Sequence, residues 1–391
     1  MKSILLIIIL YSFLIIKTLS DNKLIQIKLT INTRFQLYAY FLRYYGFSNY
    51  YDINLQNEYS YTDRISPKKL EILSTDYIIV NNTNYTRNLI YEEIEIESNK
   101  YSMYWYNIPQ PLVGNINYTG MSFALKPKNE SFSLLHILKK DNKIDKMIMA
   151  LEIKKDVGIM HLGMIPESFD KMPYKGEFKV KYDNWGCNIN KIYFTDKHNA
   201  NITNKYIVNK RNVLIQTAKN EIVVSKDFFS YIKEKILKEY YDKGLCFDRV
   251  LPKIGYITID CMTRAKINEA LPYYFNIEID DYVYSINIEE LTYLYKTMNF
   301  ESFVRIGIAT QIDESDVWMI GAIFLKQFNT VFDYENKIVK LYSQLPRIRK
   351  ITKNQYIIVN GKDNIKQFLL TIVILMIGGI IINVYVYKKT I

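Results

Sequence analysis

An all-β fold, mainly β with short helices, is what this sequence predicts, with an apolar segment at each end. Three observations carry that expectation. From Lys23 to about Pro173 the chain alternates or runs apolar in short pieces between turn residues, as strands do. Val317 to Ser343, VWMIGAIFLKQFNTVFDYENKIVKLYS, reads as strand, glycine, helical turn and β hairpin. Phe368 to Tyr387, FLLTIVILMIGGIIINVYVY, carries no charge over roughly the 20 residues that span a bilayer, and stands apart from the β pattern.

Taken in order, residues 1–20 open with Lys2, run apolar from Ile4 to Ile16 and end with the small Thr18 and Ser20. That is the layout of a secretory signal peptide cleaved after Ser20. Leu24 to Ile31 and Phe35 to Leu42 are expected as a first hairpin. Ile90 to Ile96 (IYEEIEI) alternates as a half-exposed strand. Ser131 to Lys140 breaks the β pattern, because Leu134, Leu135, Ile137 and Leu138 fall on one helical face. Further on, Ser225 can cap a helix with Asp227 in its first turn and Phe228, Ile232 and Ile236 on one side.

In the stretch from Val317, the run Trp318-Met319-Ile320 stops at Gly321, where backbone must approach backbone closely. Ala322 to Phe328 is expected as a short amphipathic turn of helix. Thr330 to Asp333 and Ile338 to Tyr342 then pair around the tight turn Tyr334-Glu335-Asn336-Lys337. A basic, Asn-rich linker leads to the uncharged segment, and Lys388 and Lys389 follow it as a cytosolic stop. A lipid-anchor signal fits poorly with two lysines so near the chain end.

These motifs resemble the pepsin-like aspartic peptidases. That family ends in Trp-apolar-apolar-Gly, a Phe-Leu-Lys/Arg helix, Tyr-Thr-Val-Phe-Asp and a hairpin, which Trp318 to Tyr342 match without a gap. Tyr118 to Ala124 sits where the family's first lobe carries Asp-Gly-Ile-Leu-Gly-Leu-Gly. The helix at Ser131 to Lys140, the strand Lys146 to Leu151, Gly158 to Gly163, and Trp185 with Asn188 to Phe194 follow in the family's order. Leu271-Pro272 and the strand–turn–strand Tyr273 to Ile286, turning at Asp280-Asp281, match its second lobe. The resemblance covers roughly Leu24 to Ser343. It implies a bilobal, pepsin-like acid protease fold, divided as signal peptide 1–20, lobes 22–175 and 176–345, linker 346–366, membrane helix 367–387 and tail 388–391.

It also implies a chemistry that the residues do not supply. Aspartic peptidases use two Asp, one per lobe in Asp-Thr/Ser-Gly, sharing a proton to activate water and protonate the carbonyl. In the second lobe the matching run is Val213-Leu214-Ile215 followed by Gln216-Thr217-Ala218-Lys219-Asn220, so Thr217 is kept while Gln216 stands for the Asp. In the first, Ile31 to Gln36 fits Ile-Gly-Thr-Pro-x-Gln, and counting on places Arg43 at the site. Asn22 to Tyr51 holds no Asp or Glu, and Lys197 to Lys226 holds only Glu221. A glutamine amide cannot hold the shared proton, and a fixed cation abolishes the pair. The flap falls near Val80-Asn81-Asn82-Thr83 and lacks the family's Tyr, so the expected cleft residues are Val80, Asn81, Gln216 and Thr217.

Charge and cysteine usage narrow the rest. The net charge of +11 falls to +7 without the terminal lysines 2, 17, 388 and 389. A coding sequence rich in A and T produces the Ile, Asn, Lys and Tyr skew, so no nucleic-acid partner is inferred. Of three cysteines, Cys246 and Cys261 could close a short loop in an oxidising compartment, leaving Cys187 odd. No metal site or cofactor is implied. Asn81, Asn84, Asn117, Asn129 and Asn201 begin glycosylation sequons between the two apolar segments. The expectation is a single-pass type I glycoprotein of the secretory route or cell surface, a pseudo-peptidase binding peptide or protein between its lobes. The alternatives are an active endopeptidase using other carboxylates, such as Asp52 or Asp227, and a structural or adhesive surface protein.

Overall fold

The computed structural model describes residues 25–31, 37–43, 48–54, 61–62, 72–80, 83–96, 99–107, 121–154, 157–181, 183–195, 211–217, 219–252, 255–265, 267, 274–296, 302–313 and 318–351. Before residue 121 the description is of the backbone, with Leu89 and Tyr101 as exceptions. The signal peptide expected at 1–20 and the membrane helix expected at 367–387 lie outside these residues. Among the described residues no helix is long and apolar enough to cross a membrane. Two compact units divide the chain, Met1–Arg349 and Lys350–Ile391. Only Lys350 and Ile351 of the second are described.

Strands dominate the first unit. The earlier ones are β1 Ile25–Ile31, β2 Leu37–Arg43, β3 Ser48–Asn54, β4 Tyr61–Thr62, β5 Ile72–Val80, β6 Thr83–Ile96, β7 Asn99–Asn107, β8 Met121–Ser122, β9 Ile148–Lys154, β10 Val157–Leu162 and β11 Tyr174–Lys179. They are followed by β12 Gly186–Thr195, β13 Arg211–Ile215, β14 Ile222–Val224, β15 Cys246–Leu251, β16 Tyr256–Met262, β17 Tyr274–Ile279, β18 Tyr282–Asn287, β19 Thr292–Lys296, β20 Ser302–Gln311 and β21 Trp318–Ile320. The last hairpin is β22 Asn329–Asp333 and β23 Ile338–Ser343.

One sheet runs β11-β23-β22-β9-β10-β1-β2-β6-β7-β4, with β3 beside β2 and β5 beside β6. The other runs β15-β16-β20-β14-β21-β13-β12-β17-β18, with β19 beside β20. The late hairpin thus crosses from the second half of the chain into the first sheet, Thr330 opposite Leu151 and Ser343 opposite Tyr174. Its alternation explains the crossing. Phe332, Val339 and Leu341 enter the main core on one face, while Val331 and Tyr342 pack with Ile148, Ala150 and Phe169 on the other. A hairpin apolar on both faces needs cover on both, which it finds in the main core on one side and in the Phe169 cluster on the other.

The expected first hairpin is present as β1 and β2, and the late hairpin turns where predicted. The helix expected at Ser131 to Lys140 begins as a 3-10 turn over Glu130–Phe132 and continues as α1, Leu134–Lys140, with Leu134, Leu135 and Leu138 buried. Ser225 caps α2, Lys226–Tyr231, its hydroxyl accepting from the Phe228 N–H, before a π turn at Ile232–Ile236. The turn expected to be amphipathic is not. Ala322, Ile323, Phe324 and Leu325, which form α3, are all buried, and the polar Lys326 and Gln327 follow the helix rather than forming a face of it.

Cys246 and Cys261 sit opposite each other on β15 and β16 and are joined as a disulfide. Cys187 is free and buried, and burial pushes its thiol up to about 12, which keeps it protonated.

Glu278 on β17 is a buried carboxylic acid, 7% exposed, and among the described residues its Oε2 has no hydrogen-bond partner. Burial raises its carboxyl above the ordinary value, against the lowering effects of Lys191, Tyr193 and Arg349. The folded state therefore holds this proton where the unfolded chain has lost it. Stability falls as pH rises from the ordinary carboxylate range through the raised value. Glu278→Gln is expected to raise the melting temperature at neutral pH and to leave it unchanged below that range. An equal effect at both pH values would show that the ionisation is not what is costly.

Candidate functional site

The second sheet brings three short strands together around one loop. β21 lies between β13, parallel to it with Ile215 opposite Ile320, and β14, which meets it at Val223 and Met319. The chain from β13 to β14 must therefore arch over the end of β21, and that arch is Gln216 to Glu221. Its backbone is pinned on both sides. The Gln216 N–H donates to the Ile320 carbonyl at 2.9 Å, and just before it the Ile215 N–H donates to Trp185 at 3.3 Å. On the far side, the Lys219 and Asn220 carbonyls accept from Ala322 and Ile323 at 2.7 and 2.9 Å. These are the orphan donors of the first turn of α3, so the loop caps the helix.

Gly321 makes the arrangement possible. A Cβ there would stand 2.2 Å from the Glu221 carbonyl oxygen and 2.5 Å from that of Asn220. The close approach read from the sequence is thus between Gly321 and the loop itself.

Within the arch, Thr217 is fully buried and Gln216 half-buried. Lys219 is half-buried with its Nζ 5.1 Å from the centre of the Tyr256 ring. Burial holds its amine below the ordinary value, opposed by the charge of Glu221. Glu221 accepts from the Tyr293 hydroxyl at 2.6 Å, and burial drives that phenol well above its ordinary value.

Behind Tyr293 the sheet holds an ion network. Arg305 lies opposite Tyr293 on one side and opposite Asp260 on the other. It donates to both Asp260 oxygens, at 2.7 and 2.9 Å, and Arg249 donates to the same carboxylate. Burial works against the Arg305 guanidinium, but its bonds to Asp260 prevail and hold it above its ordinary value.

The expected site residues are only partly brought together. Gln216 and Thr217 lie in the arch. Arg43 ends β2, with its backbone opposite Ile94 of β6, and its side chain is outside the described residues. Val80 ends β5 opposite Thr83, so a hairpin stands where the flap was expected; Asn81 is outside the described residues. Asp227 is exposed in the first turn of α2, and Asp52 lies on β3 opposite Tyr38. Of the sequon residues, Asn129 is exposed, though its side chain caps a turn by accepting from the Ser131 N–H at 3.0 Å. Asn84 lies on β6, and Asn117 and Asn201 are outside the described residues. Tyr293, Arg305 and Asp260 carry no motif. Their part in supporting the arch follows from strand register alone.

The family model for eukaryotic aspartyl proteases matches residues 117–344. No curated protein matches the chain.

Proposed function

This chain belongs to the eukaryotic aspartyl protease family, and from that membership we propose a pseudo-peptidase that keeps the fold and cleft but binds peptide or protein instead of cutting it. One observation carries the reading. The arch between β13 and β14, at the position where the family motif has its second-lobe Asp, reads Gln-Thr-Ala-Lys-Asn-Glu. An amide there can donate and accept hydrogen bonds but cannot cycle a proton in the pH range of a carboxyl dyad. With Arg43 at the other expected position, the site would hold a cation and an amide. That suits the binding of peptide carbonyls rather than activation of water.

The proposal extends to place. Signal peptide, sequons and an uncharged segment followed by lysines support a single-pass glycoprotein of the secretory route or cell surface.

Acid-pH cleavage of an unfolded protein substrate by the purified full chain is expected to be absent. Gln216→Asp alone should leave it absent, since one carboxylate cannot share a proton with a cation. The double change Arg43→Asp with Gln216→Asp is the variant in which cleavage would return. Pepstatin-sensitive cleavage by the unaltered chain would refute the reading.

A further inference from the structure

The arch that carries Gln216 also holds a cation, Lys219, that no carboxylate contacts among the described residues. Among the described residues, Glu221 is the one carboxylate whose charge bears on Lys219, and it acts without a hydrogen bond between the two. Glu221 is engaged elsewhere. Its Oε1 accepts from the buried Tyr293, which is tied to Arg305 and through it to Asp260. That chain of bonds is anchored in β16 and β20 and engages Glu221 with Tyr293 rather than with the lysine. What faces the Lys219 ammonium is the Tyr256 ring, packed with Val223, Ala309 and Met319, its hydroxyl 3.8 Å from the Met319 sulfur. A ring face supports a cation without neutralising it.

We propose that Lys219 is a specificity residue of the cleft, selecting peptide ligands that bring a carboxylate, from an acidic side chain or a free C-terminus, onto the Tyr256 ring's edge of the arch. This rests on the cleft-binding reading above. The physical reason is desolvation already incurred. A surface lysine loses most of its gain from a carboxylate to lost hydration, whereas Lys219 has given up part of its hydration in the folded protein. A ligand carboxylate would also supply the direct contact that Glu221, engaged with Tyr293, does not make.

The test uses the full chain and capped hexapeptides of Val, Phe and Ala in three forms, with the variable residue walked through every position. The first form has one Gln and a C-terminal amide, the second replaces Gln by Glu, and the third keeps Gln with a free C-terminal carboxylate. At least one carboxylate form is expected to bind about tenfold more tightly than the Gln amide, the scale of one charge-assisted hydrogen bond. Which form it is identifies the source. Lys219→Met should erase that preference while leaving Gln-amide affinity within about twofold, and Lys219→Arg should keep it. The preference should also shrink as pH rises through the lowered value of the amine, since the neutral amine attracts no carboxylate. Equal binding of all three forms, or a preference that survives Lys219→Met, overturns the role of Lys219 and leaves the cleft reading standing. Failure of every peptide to bind overturns both.

Discussion

Replacing Asp260 by Ala is expected to cost the fold about 3–5 kcal/mol, the range for removing one partner of a buried ion pair. The decisive numbers are exposures. The Asp260 side chain is 0% exposed and that of Arg305 6%, so the change leaves a buried guanidinium without the two hydrogen bonds that the carboxylate accepts from it. A solvent-exposed pair of the same geometry would be worth about 1 kcal/mol or less. Arg249, at 28%, can turn outward and limits the damage on its side. Urea unfolding with the Cys246–Cys261 disulfide intact reads the loss directly. Changing Asp260→Leu and Arg305→Met together should recover most of it, because the cost lies in the uncompensated charge. A loss for Asp260→Ala below about 1 kcal/mol would mean that water reaches Arg305 and that the network is not dry.

The Gly321→Ala variant is expected to lose about 1–3 kcal/mol, the usual cost of overpacking. Its backbone is not the obstacle: with φ at −85° any residue could adopt it. Space is. The added methyl would meet the carbonyl oxygens of Glu221 and Asn220, which are main-chain atoms and cannot rotate away. The Asn220 carbonyl is further held by Ile323, so relief requires breaking the cap that joins the arch to α3. The same variant should therefore loosen Gln216 to Glu221 beyond its global effect, visible as faster amide exchange at Ala322 and Ile323 than at β12. Unchanged exchange at those two amides would show that the arch is held by something other than this contact.

Local pattern was legible wherever one short stretch decides the outcome. The alternation of Thr330 to Asp333, the turn at Tyr334 to Lys337, the cap at Ser225 and the halt at Gly321 all follow from neighbours within a few residues. The helical turn after Gly321 departs from its expected amphipathic form for a reason of the same kind. Lys326 and Gln327 suggest a polar face, yet they fall beyond the last helical residue, and the four residues before them are plugged into the core from every side.

The sequence alone determined that strands prevail, that Thr217 is kept, and that neither expected dyad window carries an Asp, because these depend on residue identity and short-range periodicity. Only the tertiary structure decided that the arch stands over β21, that its Glu221 is held by Tyr293 from 72 residues away, and that Asp260 meets Arg305 across 45. It also decided that the last hairpin serves the first sheet. Such partners are chosen by strand order and register, and the energy that selects them is the shared burial of faces that no single segment can cover for itself.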